Sequence, residues 1–488
     1  MRSSTLLALA ALGLVSSAAL PAFAGTLLVP QQFSTIQAAL NAAKPYDTVL
    51  VSAKPKGGVY SEAVTISTPH VVLQGVGNPV IDGTALIPTG SGASAVYPSG
   101  IDIRANSVAV RGLTVRNASG GGITSGYIAP DGSAAFSFSN LEISGDTLVN
   151  DSGGVYIIGF GTRATDGTVT SPQGISVTGC TVKGSLGDGI SISGTSNLTI
   201  SGNSISGSSQ NGLTLGAGFF ALPASNFLVT GNQCSGSGSD GMQIYGTGLQ
   251  IAGNEVSSSG SYGLLVEAQA LNPFGPVSTA PATPSAVYFN SVHDSGSDGL
   301  YAGGALTISA NSLARNTGHG IYLLRADKSV VTYNLVSGTM QDTSIYSAQS
   351  EDNGTGILAE GYTSLTDAPG GNALTISGNQ VSGNTGDGIY LGAIMGSTVS
   401  YNNVVNNAAI GIHLSDYSSG TADTPNTITQ NRAVHNTLFD ARDDSNAAVP
   451  ITYANGDTFA GDNYFYGPSI NVWTKNLFGT TDPVGLSK

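Results

Sequence analysis

Asp298-Gly299-Leu300-Tyr301-Ala302, followed 21 residues later by His319-Gly320-Ile321-Tyr322-Leu323, decides the fold. Both are instances of one phrase: a glycine, a large aliphatic residue, and a second apolar residue two places on. The glycine–aliphatic pair recurs at Gly189-Ile190, Gly212-Leu213, Gly241-Met242, Gly263-Leu264, Gly356-Ile357, Gly388-Ile389 and Gly411-Ile412, with shortest intervals of 21 to 23 residues. A period of that length marks a solenoid, in which each repeat buries its apolar face only against its neighbours. Between the glycines lie runs of Val, Ile, Thr and Tyr broken by Gly, Asn and Ser, which read as short strands and turns. Leucine-rich repeats have a similar period, but their regular leucines and helical segments are missing. The expectation is an all-β chain, a single-stranded parallel β-helix.

Alternation assigns the faces. The residue after each glycine (Ile190, Leu213, Met242, Leu264, Leu300, Ile321, Ile357, Ile389, Ile412) and the one two places further are apolar, so they point inward. Asparagines hold equivalent corner places at Asn203, Asn232, Asn254, Asn290, Asn311, Asn334, Asn379, Asn402 and Asn431. Asparagine tolerates the left-handed backbone of a sharp corner, and stacked asparagines can hydrogen-bond up a column. Turn chemistry alone accounts for them.

The chain opens with Arg2, an apolar run from Leu6 to Leu20, and Ala22-Phe23-Ala24, which reads as a signal peptide over 1–24. Residues 25–488 then form the solenoid domain, exported to the periplasm, the surface or the medium. Ser34 to Ala43 reads as an amphipathic helix capped by Ser34 that covers the first coil, within an N-terminal cap and first coils over 25–75. Residues 450–488 concentrate Tyr453, Phe459, Tyr464, Phe465, Tyr466, Trp473 and Phe478 off the repeat, which suggests a C-terminal cap. No other apolar run is long enough to span a membrane. The net charge is −14 with only 16 Lys and Arg, which excludes the basic footprint of a nucleic-acid partner. Cys180 falls at a corner place and Cys234 at an inward strand place two coils on, too far apart for a disulfide, so two buried thiols are expected.

Phe33-Ser34-Thr35-Ile36-Gln37 through Gly58-Val59-Tyr60-Ser61-Glu62 resembles the opening of right-handed parallel β-helix proteins of the pectin-lyase-like superfamily. The Asn–Gly repeats are similar to that superfamily's carbohydrate-binding/sugar-hydrolase repeat. The resemblance covers about 25–480 and implies a right-handed β-helix that binds or modifies polysaccharide. It implies no particular reaction, because the fold hosts lyases, hydrolases, esterases, epimerases and non-enzymes. Ile158-Gly159-Phe160-Gly161 lacks the acid of the pectin methylesterase motif. Asp443-Asp444 lies outside the context of the polygalacturonase pair, and the Asp-Pro-His of alginate epimerases is absent. The repeat type is shared by a periplasmic β-helix protein of nitrous-oxide reductase maturation, which would imply metal handling. Five His and four Met without a cluster argue against it, and no cofactor is indicated, with calcium left open.

Candidate chemistry sits on two columns. Two places after each glycine the side chains point outward: Ser191, Thr214, Gln243, Leu265, Tyr301, Tyr322, Leu358, Tyr390, His413. Just before the glycine stand Asp188, Asn211, Asp240, Tyr262, Asp298, His319, Thr355, Asp387 and Ile410. Around 298–327 the columns converge, which names Asp298, His319, Arg325 and Asp327 as catalytic candidates and Tyr301, Tyr322, Asp387, Tyr390 and His413 as sugar-binding ones. Insertions at 217–225, 268–285, 362–372 and 418–425 follow the same strand in other coils and would wall a groove. The bland readings are turn aspartates, strand-favoured tyrosines and solvated histidines. Glu267 and Glu360 are about three coils, or roughly 14 Å, apart, too far for a glycosidase pair. The sequence therefore supports an exported, monomeric polysaccharide-active protein acting on a polysaccharide or cell-surface glycan. The alternative is a non-catalytic structural or surface β-helix.

Overall fold

The computed structural model describes residues 24–482 and 486, apart from 90–96, 129–134, 161, 164–168, 217–223, 269–283, 343–352, 362–372, 393, 416–424, 445–450, 453–457 and 460–470. Among these, three long sheets of 16, 14 and 15 strands run the length of the molecule, each built by parallel pairing of one coil on the next. One coil shows the route. Ser196–Ser201 lies in the first sheet, Ser204–Ser206 in the second and Leu213–Leu215 in the third; the next coil then begins at Ser225–Thr230. No helix among the described residues is long and apolar enough to cross a membrane.

The glycine of the repeat marker is a steric necessity. A Cβ on Gly189 would stand 2.4 Å from Ile205 Cγ2 and 2.6 Å from the Gly212 carbonyl of the next coil, so the coils close only around a bare Cα there. The aliphatic residues behind it fill a dry column. Ile190, Ile321 and Ile389 have no solvent exposure, and the core runs without a break from Val29 to Ala433. Burying each such side chain contributes about 1.5–3 kcal/mol.

At the corners the structure corrects the sequence reading. The left-handed residue is the one before the asparagine, as in Gly202 (φ 62°), Phe289 (φ 55°) and Tyr333 (φ 57°), while the asparagine turns inward. Asn311 shows why: its backbone N–H and Nδ2 both donate to Asn334 Oδ1 at 3.0 Å, and Nδ2 also donates to the Val287 carbonyl at 2.9 Å. The same bonds link Asn203 through Asn476, satisfying buried backbone groups that a solenoid corner would otherwise orphan. Five residues on, a second corner carries buried Ser208, Ser237, Ser259 and Ser295, then Asn316, Thr339, Asn384, Asn407 and Asn436. Asn384, Asn407 and Asn436 form a second ladder, which Asp440 ends by accepting from the Asn436 N–H and Nδ2.

The N-terminal helix is Ile36–Ala42, with Ile36, Ala39 and Leu40 buried on the first coils. Its cap is Thr35, not Ser34: Thr35 Oγ1 accepts from the Ala38 N–H at 3.1 Å, and the Glu62 carboxylate accepts from Ile36 and Gln37 at 2.9 Å each. At the other end, Val472–Thr474, Leu477–Phe478 and Thr481–Asp482 continue all three sheets as one more coil, so Trp473 and Phe478 belong to the repeat. Tyr453, Tyr464, Phe465 and Tyr466 lie outside the described residues, as does the segment 1–23. Cys180 and Cys234 are separate, buried thiols, both pushed up to about 12 by burial. For Cys180 the nearby Asp146 carboxylate adds to that rise.

Candidate functional site

Strand register lines up the outward column of the third sheet as Gln243, Leu265, Tyr301, Tyr322, Leu358, Tyr390, His413, Arg442 and Asp482. The structure divides the candidate residues on this column into two clusters of opposite character.

The first is centred on Tyr301 and Tyr322, whose half-buried rings meet edge to face at 5.3 Å. Tyr262 leans on Tyr301 at 5.4 Å and His319 on Tyr322 at 5.2 Å. His319 Nδ1 is 2.8 Å from Asp298 Oδ1, which also accepts the His319 backbone N–H at 2.9 Å. His319 Nε2, the ring's other nitrogen, is itself buried. On the other side the Tyr322 hydroxyl donates to Glu360 Oε2 at 2.6 Å. Burial, reinforced by Glu267 and neighbouring groups, pushes the phenols of Tyr301 and Tyr245 up to about 12, so both stay protonated donors at neutral pH. Glu267 finds its room over Gly303, where a Cβ would stand 2.3 Å from its Oε2.

The second cluster is sealed. His413 has no solvent exposure, with Nδ1 2.7 Å from Asp387 Oδ2 and Nε2 2.9 Å from Asp444 Oδ2. Arg442 Nε bonds Asp444 Oδ1 and its Nη1 bonds Asp482 Oδ2 at 2.9 Å. The Tyr390 ring stands edge-on to His413 at 4.8 Å. Burial alone would lower the imidazole, but the facing carboxylates of Asp444 and Asp387 outweigh it and push His413 up to about 10. The expectation of His413 and Asp387 as surface residues is corrected: both project from the sheet's outer face yet are inaccessible. Leu358, between the clusters on the same column, is also fully buried.

Arg325 and Asp327 stand off the column. Both are exposed, on the turn that follows Ile321–Leu324, with Arg325 at φ 51°. The four insertions leave the third sheet directly after its strands, and their residues 217–223, 269–283, 362–372 and 416–424 lie outside the described residues. Register puts Glu267 and Glu360 three strands apart, through Gly303 and Leu324. Glu360 as the partner of Tyr322 was missed because the two are 38 residues apart. Arg442 and Asp482 were missed because no glycine–aliphatic marker announces their coils.

Residues 126–278 match the family model described as "right handed beta helix region". The chain is a right-handed parallel β-helix. Residues 365–476 match a second model, "periplasmic copper-binding protein (NosD)". No curated protein matches the sequence. Among solved structures, a PL6 alginate lyase in complex with a trisaccharide is similar at 13% identity and a TM-score of 0.45, covering 92% of each chain. The A-module of the Azotobacter vinelandii mannuronan C-5 epimerase AlgE4 is similar at 15% identity and 0.41, covering 81% of this chain and 89% of its own. The catalytic domain of a GH87 α-1,3-glucanase is similar at 11% and 0.38, covering 86% and 66%. At such identities the likeness is of fold alone.

The side chains within the NosD match do not fit a copper centre. His413 has both ring nitrogens committed to buried carboxylates, and His435 is exposed at a corner with φ 63°. No three His, Cys, Asp or Glu converge as metal ligands among the described residues.

Proposed function

We propose that this protein is exported and binds an extended polysaccharide along the outer face of the third sheet, between Tyr245 and Tyr322, transferring protons to it through His319 and Tyr322. The observation that carries the reading is the contact chain Asp298–His319–Tyr322–Glu360, at 2.8 Å, 5.2 Å and 2.6 Å. Asp298 orients the imidazole through Nδ1, and Tyr322, held by Glu360, places a second proton-carrying group beside it. The row of tyrosines offers flat rings for sugar faces. Asp240, Asp298, Glu267 and Glu360 line the same stretch and give it acidic character, which favours a neutral chain over a polyanion.

Incubating the purified protein with neutral and uronic-acid polysaccharides, and following new reducing ends, unsaturated products and epimerised sugars, tests this. Products that vanish in His319→Asn support it; no product from any glycan removes the catalytic part. Binding without turnover is the second reading. It is favoured by Asp298 making the same bond to the next coil's backbone N–H as Asp188, Asp240 and Asp387, a turn role that needs no chemistry. Saturable glycan binding with no product would establish it.

A further inference from the structure

The corner between the first and second sheets carries a feature that neither packing nor turn chemistry asks for. The residue before each ladder asparagine sits in the left-handed region, and in three successive coils it is glycine: Gly202, Gly231 and Gly253. Along the next stretch it becomes Phe289, Ala310, Tyr333, Gly378 and Tyr401. The aromatics hold φ of 55°, 57° and 56°, a backbone region where a bulky side chain is an outlier. They gain no burial for it, being 68%, 75% and 60% exposed.

Their spacing is regular. The ladder bonds run Asn290, Asn311, Asn334, Asn379, Asn402, so an aromatic stands at every second coil with a small residue between. Two coils correspond to about 9–10 Å along the axis, and the three rings span roughly 19 Å. The intervening small residue has a visible use at Gly378: a Cβ there would lie 2.8 Å from Tyr333 Cε1, so the ring reaches over that glycine along the axis. Uncharged side chains flank the row, with Ser309, Thr332 and Ser377 on one side and Ser312, Leu335, Gln380 and Asn403 on the other. No charged residue occupies these flanking positions from Tyr288 to Asn403.

We propose that Phe289, Tyr333 and Tyr401 form a stacking strip for a neutral, extended β-1,4-linked glycan, separate from the face bearing His319. In such a ribbon alternate sugars present the same face, so rings at every second coil meet alternate sugars. The all-equatorial hydroxyls leave apolar C–H faces for the rings and direct the hydroxyls sideways to the flanking Ser, Thr, Gln and Asn side chains. An uncharged strip on a chain of net charge −14 selects against polyanions.

The test titrates the full chain with cellohexaose, chitohexaose and an alginate hexamer by calorimetry. Its comparison protein carries Phe289→Asn, Tyr333→Asn and Tyr401→Asn together. Asparagine accepts the left-handed backbone, so the triple variant should keep the wild-type circular dichroism and an equal or higher Tm. The expected result is that at least one neutral hexamer binds the wild type tenfold or more tighter than the triple variant. Unchanged affinity in that variant overturns the strip. Failure of both neutral hexamers to bind the wild type overturns it too, and alginate binding lost with the rings overturns the neutral class. Turnover and its loss in His319→Asn are read separately, so failure here leaves the proposed catalytic face standing, and the reverse.

Discussion

His319 stands just before a strand of the third sheet and His413 within one, each with Nδ1 bonded to an aspartate of the preceding coil, yet they are chemically opposite. His319 keeps 15% of its side chain exposed beside Asp298, among protonated tyrosines. His413 is wholly buried between two carboxylates, one of which, Asp444, also pairs with Arg442. The second nitrogen of His413 makes the difference: carboxylates on both ring nitrogens hold the imidazole as a cation and turn it into a structural tie.

The largest expected effect breaks that tie. Asp444→Asn keeps the shape but takes the shared carboxylate from buried His413 and Arg442, and should cost about 3–5 kcal/mol of unfolding free energy in urea. A loss no greater than that of His319→Asn would mean that the two histidines are equivalent. The tie has a pH signature. His413 has a folded pKa of about 10, above an unfolded value of about 6.5, so its contribution is fully present below about pH 6.5 and fades as pH rises toward 10. Urea midpoints at pH 6, 8 and 10 should fall more steeply in the wild type than in Asp444→Asn.

The two corner ladders extend the same contrast. Asn334→Ala leaves the Asn311 N–H and the Ile308 carbonyl without their buried partner and should cost about 2–4 kcal/mol. Ser208 on the second corner is buried with no hydrogen-bond partner for Oγ, so Ser208→Ala should lie within about 0.5 kcal/mol of wild type. Equal costs would show that the asparagine bonds, rather than corner packing, are not what matters.

Asp146 occupies the first-ladder place in an N-terminal coil. Burial, against hydrogen bonds from the Leu113 and Ser144 N–H groups, raises its carboxyl to about 7. A folded pKa above the unfolded value of about 3.9 means that stability is fully present at acid pH and is lost as pH rises through 7. Asp146→Asn removes that loss. The gain should be almost nothing below about pH 4, grow steadily between about pH 4 and 7 and level off above pH 7, since Asn in this place elsewhere donates to a backbone carbonyl. A gain independent of pH would mean that the carboxyl is not neutral in the folded protein at acid pH.

The coil, its inward column and both lone thiols were legible because a period of 21 to 23 residues leaves few ways to bury Ile190, Ile321 and Ile389. The outward column was legible too, since alternation is local. What sits above that column was not. Leu358 and His413 occupy the same register as Tyr322 and Tyr390, and only the tertiary structure makes them inaccessible. The corner was misread by one residue, because asparagine suits both the left-handed site and the ladder, and composition cannot choose between them. Tyr322–Glu360 was invisible for a related reason: a contact between adjacent coils across an insertion has no fixed offset in the chain.

His319→Asn should change stability little, by about 1 kcal/mol or less, because Asp298 keeps its bond to the residue 319 backbone N–H. If the open histidine is the proton-transfer group, the same change should lower turnover by about 10²–10⁴-fold. Its KM should move little, since Tyr301 and Tyr322 still present their rings. The sealed histidine predicts the reverse pattern, a collapse in stability with no selective loss of rate in whatever fraction stays folded. A variant at 319 that loses stability and rate in equal proportion would place His319 with His413 as a structural tie, and would leave the tyrosine row as a surface that binds without reacting.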